Sequence, residues 1–355
     1  MRRAVPFVLA LLSCGCTAYP GLAQGVQPSA QPGAPAPAGR GSAPASFAPL
    51  VKRVVPAVVN IAVIEQGATP SEARDRLRNR REAVLGAGSG FIVDPSGIIV
   101  TNTHVVGRSN RISVTMQDGT ELPAQLIGSD ELTDIAVIGV KSTKPLPYVQ
   151  WGDSRIVEVG DWILAAGNPF GVGISVTAGI VSARGRDIGA GPFDDFLQID
   201  APINPGNSGG PTFNMEGQVV AVNTAIVSPT GGSVGIGFAV PSEMAAKIVS
   251  DLREKGRIER GWLGVSVQDI TGRPRGMQGV AIANIDKTGP AGKAGLRSGD
   301  VVMAVNGDRV DSAQGLIKAV AAVPPGNAVR LTVRRNGQNL DLPVTVGRRP
   351  AEQQG

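Results

Sequence analysis

Short β-rich runs separated by turn residues are the feature of this sequence that most restricts its fold. The runs lie at residues 54–64, 90–93, 98–101, 112–116, 135–140, 162–165, 175–182 and 219–223. Segments such as 94–97, 118–119 and 214–217 stand between them and are rich in Asp, Asn and Gly, which favour tight reversals. Many short strands at this spacing predict an antiparallel barrel or sandwich rather than a fold of alternating strands and helices.

A second domain is predicted after the β-rich region. At 355 residues the chain exceeds what one hydrophobic core usually organises. A helix predicted from Ser242 to Gly256 would close the first domain. Residues 260–346 then have the size of one small domain, with a helix predicted at 312–323. The predicted strands of this domain are 263–267, 280–285, 301–305, 329–335 and 340–346, with hairpin turns at Asn306-Gly307 and Asn336-Gly337.

The N-terminal residues predict an export signal followed by a tether. Arg2 and Arg3 precede the apolar run 4–12, and small residues follow it, which is the layout of a secretory signal peptide over residues 1–23. Residues 24–46 are almost entirely Gly, Pro, Ala, Ser and Gln. Such a composition buries too little apolar area to offset the entropy of ordering, so this segment is predicted to be flexible.

Removal of the signal peptide would leave a weakly basic chain without cysteine. Cys14 and Cys16 both lie inside it, so no disulfide is expected in the exported body. An alternative is that residues 11–14 form an acylation site and the product is lipid-anchored. The chain has 34 basic and 29 acidic residues; without Arg2 and Arg3 the difference is 32 − 29, or +3. This small excess argues against a nucleic-acid partner.

A serine among glycines is the first candidate for chemistry. Gly206, Ser208 and Gly210 lie in a segment where a tight turn can present the hydroxyl of Ser208. The backbone N–H groups of Gly206 and Ser208 could converge on one point and stabilise an oxyanion, which usually makes the greatest single contribution to catalysis of acyl transfer. The alternative is an ordinary glycine-rich turn, so the serine needs partners elsewhere in the sequence.

The order of three residues supplies those partners. The one histidine, His104, precedes the serine, and Asp134 lies between them at the start of an apolar run. A lone histidine is often structural, and Asp134 could be a simple turn residue. The order His, Asp, Ser is nevertheless that of chymotrypsin-type proteases, whereas α/β-hydrolases need a histidine after the serine. With one histidine and no cysteine after processing, no metal or other cofactor is expected.

Five segments together resemble the HtrA/Deg serine proteases, and the likeness runs over residues 46–346. The segments are 101–106, 133–138, 166–171, 199–211 and 235–241. The resemblance implies a mostly β chain, with a trypsin-like double β-barrel protease domain at 47–258, an α+β PDZ domain at 259–348 and a tail at 349–355. It also implies His104 as general base, Asp134 as its orienting partner, Ser208 as nucleophile, and Gly206 with Ser208 as oxyanion donors.

The resemblance also implies a substrate class. Proteases of this type that cleave after basic residues carry an acid six positions before the nucleophile, where this chain has Pro202. We therefore expect cleavage after small aliphatic residues, in a pocket near Ala225, Ile226 and Ile236. No phosphate-binding Gly-x-x-x-x-Gly-Lys motif is present, so an ATP-independent endopeptidase of unfolded periplasmic proteins is expected. The competing hypothesis is a peptide-binding chaperone or scaffold with a latent protease site.

Residues 261–265 resemble the carboxylate-binding loop of PDZ domains. Leu263, Gly264 and Val265 would hold the C-terminal carboxylate of a peptide that adds as a strand to the sheet. The alternative is a small structural cap. Family members are typically trimers, and Phe47 matches an aromatic residue used in that contact. Arg186 falls where a family arginine senses regulatory loops.

Overall fold

The computed structural model describes residues 45–63, 87–107, 111–169, 173–270 and 279–349. The predicted signal peptide, all but two residues of the predicted tether, and the tail beyond residue 349 lie outside these ranges. The described chain forms two closed six-stranded barrels and a smaller unit of strands and helices. The predicted mostly β, double-barrel architecture is confirmed.

The first barrel has the antiparallel strand order β1-β2-β3-β6-β5-β4. Its strands are β1 (Val58–Val63), β2 (Ala87–Asp94), β3 (Ile98–Asn102), β4 (Ile112–Thr115), β5 (Glu121–Asp130) and β6 (Ile135–Val140). Apolar side chains such as Ile61, Ile92 and Ile138 fill its interior without solvent exposure. The β2–β3 turn requires Gly97, whose φ is 99° and whose absent Cβ would lie 2.4 Å from the carbonyl oxygen of Val140.

The second barrel repeats this design with the order β10-β11-β12-β9-β8-β7. Its strands are β7 (Trp162–Gly167), β8 (Ser175–Arg186), β9 (Phe196–Ile199), β10 (Pro211–Phe213), β11 (Val219–Ile226) and β12 (Gly237–Pro241). One hydrophobic cluster joins both barrels and includes Phe91, Val100, Leu164 and Phe213. The barrels therefore share a core, and the loops at their junction are held in fixed positions.

Two helical segments flank the barrels. The N-terminal segment is α1 (Ala48–Val54), followed by a 3₁₀ turn at Val55–Ala57. The strand predicted from residue 54 is therefore wrong over its first four residues, because Pro56 lacks the N–H that a central strand must donate and instead suits the first turn of a helix. A short helix, α2 (Thr103–Val106), follows β3.

The helix predicted after the second barrel is observed as α3 (Ser242–Lys255). It ends at Gly256, which has a left-handed conformation with a φ of 70°. Ile248, Val249 and Leu252 are buried against the barrels. None of the helices in the described residues has the length and apolar character of a membrane span.

The third unit consists of a six-stranded antiparallel sheet, a separate two-stranded sheet formed by its first and last strands, and two helices. Its strands are β13 (Gly261–Trp262), β14 (Val265–Asp269), β15 (Val280–Ile285), β16 (Val301–Val305), β17 (Asp308–Arg309), β18 (Ala328–Arg335), β19 (Gln338–Thr345) and β20 (Gly347–Arg348), and its helices are α4 (Pro290–Lys293) and α5 (Ala313–Ala321). The main sheet has the order β14-β15-β16-β18-β19, so β14 is an edge strand. Asn306 and Asn336 have positive φ at the two predicted hairpin turns.

Candidate active site

Two paired strands bring His104 and Asp134 together. His104 follows β3 and Asp134 precedes β6, and these strands are neighbours in which Asn102 faces Ile135. The Nδ1 atom of His104 lies 2.6 Å from Oδ2 of Asp134, and the backbone N–H of His104 donates to Oδ1 at 3.0 Å. With Nδ1–H directed at the carboxylate, Nε2 is the ring nitrogen left to accept a proton. The pair can therefore act as an oriented general base.

The backbone of Asp134 adopts a conformation that is uncommon for a residue with a Cβ atom. Its φ is 56°, in the left-handed region, which costs on the order of 1–3 kcal/mol unless the surroundings compensate. Its carbonyl oxygen accepts hydrogen bonds from the N–H of Thr103 at 3.1 Å and from Nδ2 of Asn102 at 2.7 Å. Asn102 is fully buried, and its role was not predicted from the sequence. These bonds fix the direction of the carboxylate toward His104.

Ser208 lies in the turn before β10, beside the same site. Its hydroxyl donates to the carbonyl oxygen of Thr224 at 3.4 Å, and no hydrogen bond to His104 occurs within the described part of the chain. The hydroxyl of Thr224 in turn accepts from Nδ2 of Asn102 at 3.2 Å. The next residue, Gly209, approaches Asn102 so closely that a Cβ there would lie 3.0 Å from its backbone nitrogen, so the turn adjoins the segment that leads to His104, and the Ser208 hydroxyl is turned toward β11. Hydrogen bonds of this kind are often long in unliganded proteases and tighten in the substrate complex.

Two backbone N–H groups near Ser208 are available to a ligand. Among the described residues, no acceptor takes the N–H of Gly206 or of Ser208. The backbone of Gly206 has a φ of 101°, which strongly favours glycine. Gly209 is also required, since a Cβ there would lie 2.3 Å from the hydroxyl oxygen of Thr101. The glycines therefore serve a compact turn with two N–H donors that are free within the described residues, and stabilisation of an oxyanion requires donors of this kind.

A cavity of about 300 Å³ adjoins His104 and Asp134. Its wall includes Leu132, Phe193 and Ala225, the first of the predicted pocket residues. The other two are half-buried on adjoining segments: Ile226 ends β11, and the carbonyl oxygen of Ile236 accepts a bond from the N–H of Val227 at 3.3 Å. No group of three or more potential metal ligands occurs in the ranges that the structure describes.

The predicted carboxylate-binding loop borders a second, smaller groove. A cavity of about 80 Å³ lies between this loop and α5, and its lining residues include Leu263, Gly264, Val265, Leu316 and Val320. Since β14 is an edge strand, its outer backbone groups face this groove. The groove has apolar walls and an unpaired strand edge, so a peptide can add there as a further strand.

The linker between the second barrel and the third unit contacts the edge of the active site. Arg260 forms two hydrogen bonds with the buried carboxylate of Asp130, at 2.5 and 2.7 Å, and lies over the ring of Phe193 at 4.4 Å. From α5, Nζ of Lys318 donates to the carbonyl oxygen of Asp194 at 2.9 Å. Asp130 ends β5, and Phe193 and Asp194 line the cavity beside His104.

Arg186 lies at the end of β8, where its Nε atom donates to Oε1 of Gln198 at 2.9 Å. Arg186 is exposed and Gln198 is half-buried. The described contacts do not join Arg186 to His104, Asp134 or Ser208. The structure therefore places it on β8, apart from those three residues in its hydrogen bonding.

Comparison with known proteins identifies both parts of the chain. Residues 88–222 match the trypsin-like peptidase domain, and residues 261–346 match the PDZ domain. A solved structure described as the HtrA-type protease AlgW with decapeptide is 37% identical, with a TM-score of 0.76, and the match covers 86% of this chain and 99% of that one. The chain belongs to the HtrA family. A second solved structure, described as the serine endoprotease from Yersinia pestis, is 35% identical with a TM-score of 0.71, over 87% of this chain and 100% of that one.

Curated relatives of this HtrA family member are longer than the matched region. A probable periplasmic serine endoprotease DegP-like from Brucella suis is 48% identical over 283 residues, which are 78% of this chain and 55% of the relative. The protein of the same description from Rickettsia prowazekii is 40% identical over 337 residues, which are 85% of this chain and 66% of the relative. The chain thus spans between about half and two thirds of the length of these relatives.

Proposed function

We propose that this HtrA family member is a serine endopeptidase that hydrolyses peptide bonds without ATP. Ser208 is the nucleophile, His104 the general base and Asp134 the residue that orients it. The N–H groups of Gly206 and Ser208 form the oxyanion hole. The observation that carries the proposal is the 2.6 Å contact between His104 Nδ1 and Asp134 Oδ2, beside a serine whose turn has two free N–H donors.

The geometry supports a two-stage acyl transfer. Ser208 Oγ attacks the scissile carbonyl carbon while Nε2 of His104 takes the hydroxyl proton. The carbonyl oxygen becomes an oxyanion and is stabilised by the two N–H groups. His104 then gives the proton to the leaving amine, and an acyl-enzyme remains on Ser208. Water, deprotonated by the same imidazole, attacks the ester, releases the new carboxyl terminus and restores Ser208.

The proposed substrates are unfolded polypeptides cleaved after small aliphatic residues. The walls near Ala225, Ile226 and Ile236 are apolar, and Pro202 provides no carboxylate for a basic side chain. The test is incubation of the purified chain with casein, without nucleotide, beside Ser208→Ala. Cleavage by the wild type alone supports the proposal. Equal cleavage by Ser208→Ala would contradict it, because hydrolysis would then not need Ser208.

A second candidate function follows from the direction of the Ser208 hydroxyl. The hydroxyl donates to the carbonyl oxygen of Thr224 rather than to His104. This direction is the one expected in a protease whose resting site is inactive. Under this alternative the protein is a peptide-binding chaperone or scaffold whose protease site is usually inactive. Absence of casein cleavage, even with an apolar C-terminal peptide added, together with slower aggregation of an unfolded protein, would favour this alternative.

We further propose that the groove beside β14 binds peptide C-termini through the N–H groups of Leu263, Gly264 and Val265. A peptide ending in an apolar residue with a free carboxylate should bind, and its C-terminal amide should bind about 10- to 100-fold more weakly, because charge-assisted hydrogen bonds are lost. Isothermal titration calorimetry with the two peptides measures the ratio. Equal affinities would mean that the loop is only a structural cap.

A homotrimer is proposed from an exposed apolar surface next to α1. Ile156, Val159 and Trp162 are 67%, 61% and 40% exposed, and the ring of Trp162 lies 5.8 Å from that of Phe47. Exposed apolar residues this close together in the chain favour an interface between copies. Sedimentation velocity should show a trimer for the wild type and a monomer for Ile156→Glu/Val159→Glu. A monomeric wild type would contradict this part of the proposal.

Location, boundaries and regulation are also proposals. The chain is proposed to be exported to the periplasm through residues 1–23, since its curated relatives are named periplasmic. Mass spectrometry of the mature N-terminus tests this, and an acylated Cys14 or Cys16 would indicate a lipid anchor instead. The domain limits 47–258 and 259–348 contain the matched regions. A regulatory role of Arg186 predicts that Arg186→Ala changes activation by peptide but not peptide affinity.

A further inference from the structure

We infer that Ser89 positions the oxyanion donors of this active site, an inference that rests on the proposed function. Ser89 lies on β2 in the first barrel, between Gly88 and Gly90, and is fully buried. Its hydrogen bonds cross to the second barrel and reach the turn that carries Ser208. The sequence alone did not assign it a role in the site, because Ser89 lies 117 positions before Gly206.

The side chain of Ser89 holds the carbonyl group of Gly206. Its hydroxyl donates to the carbonyl oxygen of Gly206 at 2.6 Å and accepts from the N–H of Asn168 at 2.8 Å. A hydroxyl has a single proton, and an N–H group occupies one of its lone pairs here. The proton is therefore directed at Gly206, and the peptide plane that follows Gly206 is fixed from the opposite barrel.

The backbone of Ser89 holds the other donor residue. Its N–H donates to the carbonyl oxygen of Ser208 at 2.8 Å. One buried residue thus binds the carbonyl groups of both Gly206 and Ser208, whose N–H groups are the proposed oxyanion donors. The close approach also depends on Gly88, since a Cβ there would lie 3.1 Å from the carbonyl oxygen of Ser208 and 2.6 Å from Val105.

Gly206 needs such an external restraint. Gly206 has a φ of 101°, and as a glycine it has no Cβ atom that would restrict its backbone. Glycine also loses more conformational freedom on ordering than any other residue. Oxyanion donors act only within about 2.7–3.1 Å of the developing charge. A rotation of the peptide groups around Gly206 would carry its N–H out of this range. The hydrogen bond from Ser89 holds the peptide group between Gly206 and Asn207, which lies between the two donor peptide groups, and so restricts rotation on the C-terminal side of Gly206.

Ser89 acts through this turn and is a positioning residue. No hydrogen bond in the described residues joins Ser89 to His104 or Asp134. Its loss should therefore leave the general base and the substrate pocket in place and misplace the donors alone. This expected effect distinguishes Ser89 from a residue that only stabilises the fold. Loss of such a residue would weaken substrate binding and transition-state stabilisation together.

The test compares Ser89→Ala with Ser242→Ala. Ser242 is a matched control, because its buried hydroxyl also donates to a backbone carbonyl, that of Gly152 at 2.7 Å, and accepts from a backbone N–H, that of Ser154 at 3.1 Å, without a hydrogen bond to Gly206 or Ser208. Ser89→Ala should lower kcat about 10- to 100-fold, less than the loss of a whole donor, with KM within about threefold. A peptide boronate that ends in valine forms a tetrahedral adduct, and the affinity of the Ser89→Ala variant for this boronate should fall by the same factor. Its affinity for the matching product peptide should not change.

Ser242→Ala should retain kcat and boronate affinity within about twofold. Ser89→Cys covers the case in which Ser89→Ala does not fold, since a thiol keeps a weak donor and should give an intermediate loss. An active wild type with unchanged kcat and boronate affinity in the Ser89 variants would overturn the inference alone. Parallel loss of product-peptide affinity would overturn it as well. A wild type inert toward both casein and the boronate would overturn the proposed function and the inference with it.

Discussion

Asp134→Asn should lower kcat for casein-derived peptides about 10⁴-fold while leaving the fold intact. The carboxylate accepts from Nδ1 of His104 at 2.6 Å and thereby leaves Nε2 free to take the proton of Ser208. An asparagine side chain of the same shape can present its NH₂ group to the ring, which favours the wrong tautomer. Steady-state kinetics with a fluorogenic peptide measures the loss, and circular dichroism checks the fold.

Asp195→Asn is the matched control for this variant. Asp195 lines the same cavity, but no hydrogen bond joins it to His104 within the described residues. Its loss of charge should change kcat by less than about threefold, the usual range for a substitution outside the reacting groups. Similar losses in both variants would mean that the general negative charge of the cavity, rather than the Asp134–His104 contact, supports activity.

Arg335→Ala should destabilise the PDZ domain by about 3 kcal/mol. Asp300 is 1% exposed, and Nε and Nη2 of Arg335 donate to its two carboxylate oxygens at 2.7 Å each. Without the guanidinium the buried carboxylate keeps only the N–H of Arg297, at 2.8 Å, among the described contacts. Urea unfolding measures the loss. Arg334→Ala, whose side chain is half-buried and bonds weakly to Asn339 at 3.4 Å, should cost less than about 0.5 kcal/mol.

The same pair predicts a pH dependence. Burial alone would raise the pKa of Asp300, but hydrogen bonds from Arg335 and the N–H of Arg297 outweigh it and hold the pKa below its ordinary value. The pKa of Asp300 in the folded state therefore lies below its value of about 4 in the unfolded state. The pair contributes its full stability above the unfolded-state pKa, and this stability is lost as the pH falls through the folded-state pKa. The difference in unfolding free energy between wild type and Arg335→Ala should therefore shrink below about pH 4. A constant difference from pH 7 to pH 3 would contradict this account.

The sequence predicts those parts of the structure that depend on local pattern. Three features depend on residues that are near in the chain or on the ends of paired strands. They are the hairpin turns, the end of α3 at Gly256 and the approach of His104 to Asp134. β5 was not predicted, because Pro123 and Gly128 interrupt its alternation and much of its length is exposed. β10 has only three residues, too few to form a periodic pattern.

The supporting residues of the site could not be predicted in this way. Asn102 contacts Thr224 across 122 positions, and Ser89 contacts Gly206 across 117. Their roles exist only after the two barrels have packed against each other, and an isolated polar residue in an apolar strand has several possible explanations. A buried polar side chain at a strand end or between glycines is the one signal that could have prompted a search for its partner.

Labelling with a fluorophosphonate would show directly whether Ser208 is the nucleophile that His104 activates. This reagent reacts with an activated serine hydroxyl and does not depend on substrate preference. The folded chain would be labelled and digested, and the modified peptide would be located by mass spectrometry. We expect one adduct, on Ser208, and we expect it to form at least about 100-fold more slowly in His104→Ala. An adduct on another serine, or equally fast labelling in His104→Ala, would contradict this expectation.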